Sequence, residues 1–138
     1  MSITNLTATA QATIEFEEGT LDEEGDIEDP ASLHMEIPVA YNTSGATHTT
    51  TLFIELTELM CHQWRDLLAE THSPDAEMDD STMYLNDRHI PVSVRQVQFI
   101  QDDKDLVATL HIQLLWSMSG DEPDQPLVLS CHCTSPEL

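Results

Sequence analysis

The sequence predicts an α+β fold: an antiparallel β-sheet of about seven strands, curved into a half-barrel or sandwich, with one amphipathic helix, in the order βββ-α-ββββ. Three observations carry this. Apolar residues alternate with polar ones at period two over most of the chain. A single stretch after Leu56 changes to helical spacing. The connections are short and do not alternate strand with helix, which excludes a doubly wound sheet. The 138 residues are the length of one domain, read here as 1–138, and suffice to bury a core without metal or disulfide.

Residues 5–17 open the pattern, with Leu6, Ala8, Ala10, Ala12, Ile14 and Phe16 on one face and Thr7, Thr9, Gln11, Thr13, Glu15 and Glu17 on the other. Residues 18–30 lose it, carry Gly19, Gly25 and Pro30 among acids, and read as an acidic loop. Leu33, Met35, Ile37, Val39 and Tyr41 form the buried side of a second strand, with His34 and Glu36 opposite and Pro38 favouring an edge or bulge. A turn at residues 42–45 leads into a Thr-rich third strand, 47–56. Thr57 then reads as an N-cap, with Met60, Trp64, Leu67, Leu68 and Thr71 as the apolar stripe of a helix that stops before Pro74.

A second acidic loop is expected at 74–81, a short strand at 83–85, and a turn at Asn86-Asp87 into a strand over 90–101. In the segment 106–118, Leu106, Ala108, Leu110, Ile112, Leu114 and Trp116 point inward, and Val107 and Leu115 on the other side hint at cover on both faces. The last strand spans 127–133. No repeat of fixed period occurs, which excludes a solenoid or propeller.

Charge is the informative feature. Twenty-six acids face four cations, a formal charge of -22, so recognition of nucleic acid or an anionic membrane through phosphate neutralisation is excluded and the expected partner is a basic protein surface. Residues 1–64 hold twelve acids and no Lys or Arg. Nine of the twelve, Glu15, Glu17, Glu18, Asp22, Glu23, Glu24, Asp26, Glu28 and Asp29, crowd into residues 15–29 and form the candidate partner-binding array. A solvated loop and adaptation to high salt are the competing readings.

The remaining motifs point to no chemistry. Asp75-Ala76-Glu77-Met78-Asp79 starts like a calcium loop, but Asp80 stands where Gly is needed and Asn86 where a bidentate Glu is needed. Cys131, His132 and Cys133 have zinc-ligand chemistry, yet in a strand the thiols face one way and the imidazole the other, so buried reduced thiols are expected there and at Cys61. His62 and Asp66 have the spacing of a surface pair on the expected helix, and His111 would act as a base only with an acid or nucleophile opposite. No phosphate loop, nucleophile elbow or HExxH is present, so no catalytic residue, metal or cofactor is assigned. The tryptophans are assigned to the core, and Phe53 to a contact face or a covered part of the sheet.

The beginning of the chain lacks the charge and apolar run of a secretory leader, and no run of about 18 apolar residues occurs, so a cytoplasmic protein without membrane contact is expected. The sequons at Asn5 and Asn42 carry no weight in that setting. The leading functional expectation is a non-enzymatic protein that occludes or chaperones a basic surface, as a nucleic-acid mimic or immunity-type inhibitor. A phage-like or secretion-tube assembly subunit is the alternative, and a metal- or histidine-dependent enzyme the third. Oligomeric state is left open, a homodimer included.

Overall fold

The computed structural model describes residues 2–68, 70–74, 80–85, 88–120 and 123–136. Nine strands make one antiparallel sheet that curls into a nearly closed barrel: β1 (Thr4–Ala8), β2 (Thr13–Glu17), β5 (Ala31–Thr43), β6 (Ala46–Leu59), β7 (Thr71–His72), β8 (Thr82–Leu85), β9 (Arg88–Asp102), β10 (Asp105–Leu114) and β11 (Gln125–Cys133). Two short strands, β3 (Thr20–Leu21) and β4 (Ile27–Asp29), pair as a separate hairpin. The order around the main sheet is β1-β5-β6-β8-β9-β10-β11, with β2 continuing β1 along the same edge of β5 and β7 adding to β9.

The inward faces follow the period-two pattern. Leu33, Met35, Ile37, Val39 and Tyr41 of β5 and Leu106, Ala108, Leu110, Ile112 and Leu114 of β10 are all buried. On β9 the buried positions change parity, from Val92 and Val94 to Val97 and Phe99, because His111 pairs with Gln96 and the next residue, Ile112, pairs with Val94. Arg95 is the extra residue of this bulge. Val107 and Leu115 are half-buried, as is Phe53.

What closes the barrel is the first strand. β1 pairs with β5 as far as Ala8↔Val39, and β2 resumes at Thr13↔Glu36. Between them lies Pro38, whose carbonyl accepts the Thr9 N–H at 2.9 Å. In an extended strand a residue's N–H and C=O face the same edge, so the proline removes a donor from the side where β1 and β2 run. The chain leaves β5 at that gap and crosses to β11. There Ala12 N–H donates to His132 O at 2.8 Å and Thr134 N–H donates to Ala12 O at 2.9 Å. At the opposite end the Gln125 amide clips the same seam: it donates to Ile3 O (2.6 Å), and its Oε1 accepts from Ile3 N–H (3.2 Å) and Trp116 Nε1–H (3.3 Å).

The expected helix is not there, and no α-helix occurs among the described residues. β6 runs on through Thr57 to Leu59, which pairs with Ala31, and the chain then makes one 3-10 turn at Trp64–Leu67 before the short β7. Packing explains the central member of the expected stripe. Trp64 stands edge-on between Phe16 (ring centroids 5.7 Å) and Phe99 (4.9 Å), so the turn spans the barrel mouth from β2 to β9. Met60, assigned to the helical stripe, is 73% exposed. An isolated helix of this length is marginal, and tertiary contacts decide its fate.

The acidic segment 18–30, expected as a loop, contains the β3–β4 hairpin. In the second acidic segment, 74–81, residues 75–79 lie outside the described residues, as does the turn at Asn86-Asp87. Among the described residues, no helix is long and apolar enough to cross a membrane.

Replacing Gln125 by Ala removes three bonds that hold the seam and leaves the buried Trp116 N–H without its acceptor. A loss of about 2 kcal/mol is expected in urea unfolding, with the slope unchanged.

Candidate functional site

Among the described residues the barrel sorts its acids by end. Strand directions place residues 17, 31, 59, 102, 105 and 133 at one end and residues 4, 43, 46, 114 and 125 at the other. Every described Asp and Glu except Asp124 lies in the half that includes the first end, which we call the crown. On the wall, residues 88–101, 106–116 and 125–134 contain no acid.

Within the crown the sheet register aligns three outward side chains: Glu15 of β2 opposite His34 of β5, and His34 opposite Glu55 of β6. Directly opposed residues on neighbouring strands stand about 5 Å apart at Cβ, so one imidazole is flanked by two carboxylates. One register step toward the barrel centre, Glu36 lies opposite Thr13 and Phe53. Glu15, Glu17, His34, Glu55 and Thr57 line a cleft of about 540 Å³ whose floor is Phe16, Leu33 and Leu56. Ile14, Leu33 and Leu56 are buried beneath it, so this part of the array stands on rigid backbone.

The hairpin acids are placed differently. Asp22 is occupied locally, its Oδ1 accepting the N–H groups of Glu24 (2.9 Å) and Asp26 (3.0 Å) around Gly25, whose φ of 88° suits glycine. Asp29 accepts a bond from the Thr20 hydroxyl at 3.1 Å. Glu18, Glu23, Glu24, Asp26 and Glu28 are exposed. The base of the hairpin is fixed at Gly19, whose N–H donates to His62 O at 2.9 Å. A Cβ at Gly19 would fall 2.5 Å from Cys61 O and 2.7 Å from Asp29 O, so only glycine permits this approach.

The structure therefore brings Glu15 and Glu17 together with His34, Glu36 and Glu55, which were not among the expected site residues. Period two had already put His34 and Glu36 outward. Their alignment with Glu15 and Glu55 depends on register, which no local pattern reports.

Among the described residues no group of three or more His, Cys, Asp or Glu could hold a metal ion. Cys131 and Cys133 share one buried face with Sγ atoms 3.9 Å apart, while His132 is exposed and its Nδ1 meets Asp105 Oδ1 at 2.8 Å. The hydrogen bond between the two thiols lowers the Cys131 pKa and raises that of Cys133, to which burial adds. Cys61 is pushed up to about 11, first by burial and then by the nearby Asp66 charge. Instead of pairing with the His62 side chain on a helix face, Asp66 caps the 3-10 turn, accepting the N–H groups of Gln63 (2.8 Å) and His62 (3.2 Å). His111 is exposed, with Gln96 and Val128 opposite it and neither an acid nor a nucleophile.

No protein-family model, curated protein or solved structure matches the chain. The class defined by fold and site is thus an acidic, nearly closed antiparallel barrel with a carboxylate crown at one end.

Two outcomes follow from these groups. All three thiols are free and buried, so a thiol reagent at pH 8 should label fewer than one per native molecule and all three in urea. The Gln63 N–H, followed by weaker contributions from His62 and Arg65, holds the Asp66 carboxyl below its usual range. Its stabilisation is therefore present above the unfolded carboxylate pKa of about 3.9 and fades as pH falls through the lower folded value. Asp66→Asn should cost about 0.5–1 kcal/mol at pH 7, since the group is exposed, and the gap from wild type should close below about pH 4 in pH-dependent melts.

Proposed function

We propose that this chain is a non-enzymatic binding protein whose crown docks on a basic protein surface and covers it. The observation that supports this reading is the alignment of Glu15, His34 and Glu55 across three strands inside the larger acidic end. Acids that serve only solubility are useful anywhere on a surface, and a wall free of them is not needed for that role. Carboxylates on adjacent strands have their backbone ordered before any partner arrives. Their attraction to Lys or Arg is therefore reduced less by ordering than that of mobile side chains. Such an array can replace phosphates in a basic groove or cover the cationic face of a toxin, which are the two sharper forms of the proposal.

Isothermal titration with deca-lysine as the basic probe tests it. Affinity should fall at least tenfold between 20 and 300 mM NaCl, since the contacts are charge pairs at an exposed surface. The triple variant Glu15→Gln, Glu17→Gln, Glu55→Gln should lose more affinity than Glu23→Gln, Glu24→Gln, Glu28→Gln, although each removes three charges. Equal losses would reduce the acids to a solvating coat, and a flat salt dependence would reject the electrostatic reading.

A further inference from the structure

A groove lies on the acid-free wall, apart from the crown. The bulge at Arg95 leaves both Arg95 and Gln96 exposed on the outer surface, where they line a groove of about 650 Å³ across β9, β10 and β11. That volume is in the range of small-molecule sites. Its apolar side is Pro126 and Val128, the latter 58% exposed, while Leu127 between them packs against the core, and its polar side is Arg95, His111 and Gln113.

Arg95 is the unusual member. In a chain with 26 acids and four permanent cations, its guanidinium makes no ion pair among the described residues. Instead Nε and Nη2 both donate to the neutral Oε1 of Gln113. A guanidinium has five N–H donors in a planar fork that matches a carboxylate, and one amide oxygen leaves most of that capacity unused. Bulges re-aim side chains in this manner beside functional sites.

Among the described residues, Asp124 is a carboxylate that feels the charge of Arg95. It is already engaged by the Ser117 hydroxyl (2.7 Å) and N–H (3.0 Å), which are the main reasons its pKa is lowered, with Arg95 adding to the effect. The crown acids lie toward the other end of the barrel, where salt at physiological strength screens them beyond about 8 Å.

We infer that this groove binds a small carboxylate with an apolar body, the carboxylate on the Arg95 fork and the body over Pro126 and Val128. The chemical class is an aryl- or alkyl-carboxylic acid of about ten non-hydrogen atoms, which fits the groove's size and its pairing of one cation with one apolar side. This site is independent of the crown and would survive the failure of that reading.

The test is titration of the full chain, labelled with nitrogen-15, with phenylacetate and hexanoate, and with phenylacetamide as the uncharged control. Amide shifts should cluster at residues 95–96, 111–113 and 126–128, saturating with a dissociation constant of ~1 mM or below. Arg95→Gln should weaken phenylacetate about tenfold and leave phenylacetamide unchanged. Val128→Glu, at an exposed position where folding is not at stake, should abolish carboxylate binding by placing a like charge in the groove. Shifts that fail to cluster there, equal binding of acid and amide, or Arg95→Gln without effect would each overturn the assignment.

Discussion

The departure of the first strand from β5 at Pro38 is the constraint on which the rest of this structure depends. A sheet of this length has two edges with unpaired backbone groups, and the β11 edge, residues 125–133, carries no Asp, Glu, Lys or Arg to protect it. Pro38 supplies no donor at the point where β1 gives way to β2, and residues 9–12 use that gap to reach β11. One strand thereby serves two partners. The Gln125 amide and the Ala12 bridge pin the seam at opposite ends, and Trp64 fills the mouth between Phe16 and Phe99.

Closure determines where the charge goes. Once the strands form a barrel wall, the described acids near the turns and strand ends on one side accumulate around a single mouth, and the long middle sections of β9, β10 and β11 are left free of acids. The repulsion within the crown opposes folding, and the apolar core below it, continuous from Ile14 through Leu33 to Leu56, has to outweigh that repulsion. Salt should therefore stabilise the fold while weakening any ionic partner. The two effects have one cause, the unbalanced crown charge, and opposite signs.

Much of the wall is legible in the sequence because alternation reports which side chains face inward, and the inward sets on β5 and β10 follow it at every position. What alternation omits is register and any residue that breaks the period. Arg95 shifts β9 by one, and the Glu15, His34 and Glu55 row exists only because β2, β5 and β6 pair at particular offsets. The acidic array was visible as composition, but not its division into strand-borne acids and a hairpin in which Asp22 and Asp29 are spent on local bonds. The segment after Leu56 misled for a definite reason. A chain that crosses a barrel mouth contacts core at irregular intervals, and of the expected helical stripe only Trp64 and Leu67 are buried, while Met60 and Thr71 are exposed.

The central claim, that a nearly closed barrel concentrates its described acids at one end, is tested most directly by paramagnetic relaxation with two soluble nitroxides of the same size, one cationic and one neutral. The ratio of their effects at each amide reads local potential without any binding partner. The account requires a ratio well above one at residues 15–36, 55–58 and 102–105, falling toward one along 106–116 and 125–131. A ratio that is uniform over the surface, or highest on the β10 and β11 wall, would contradict it.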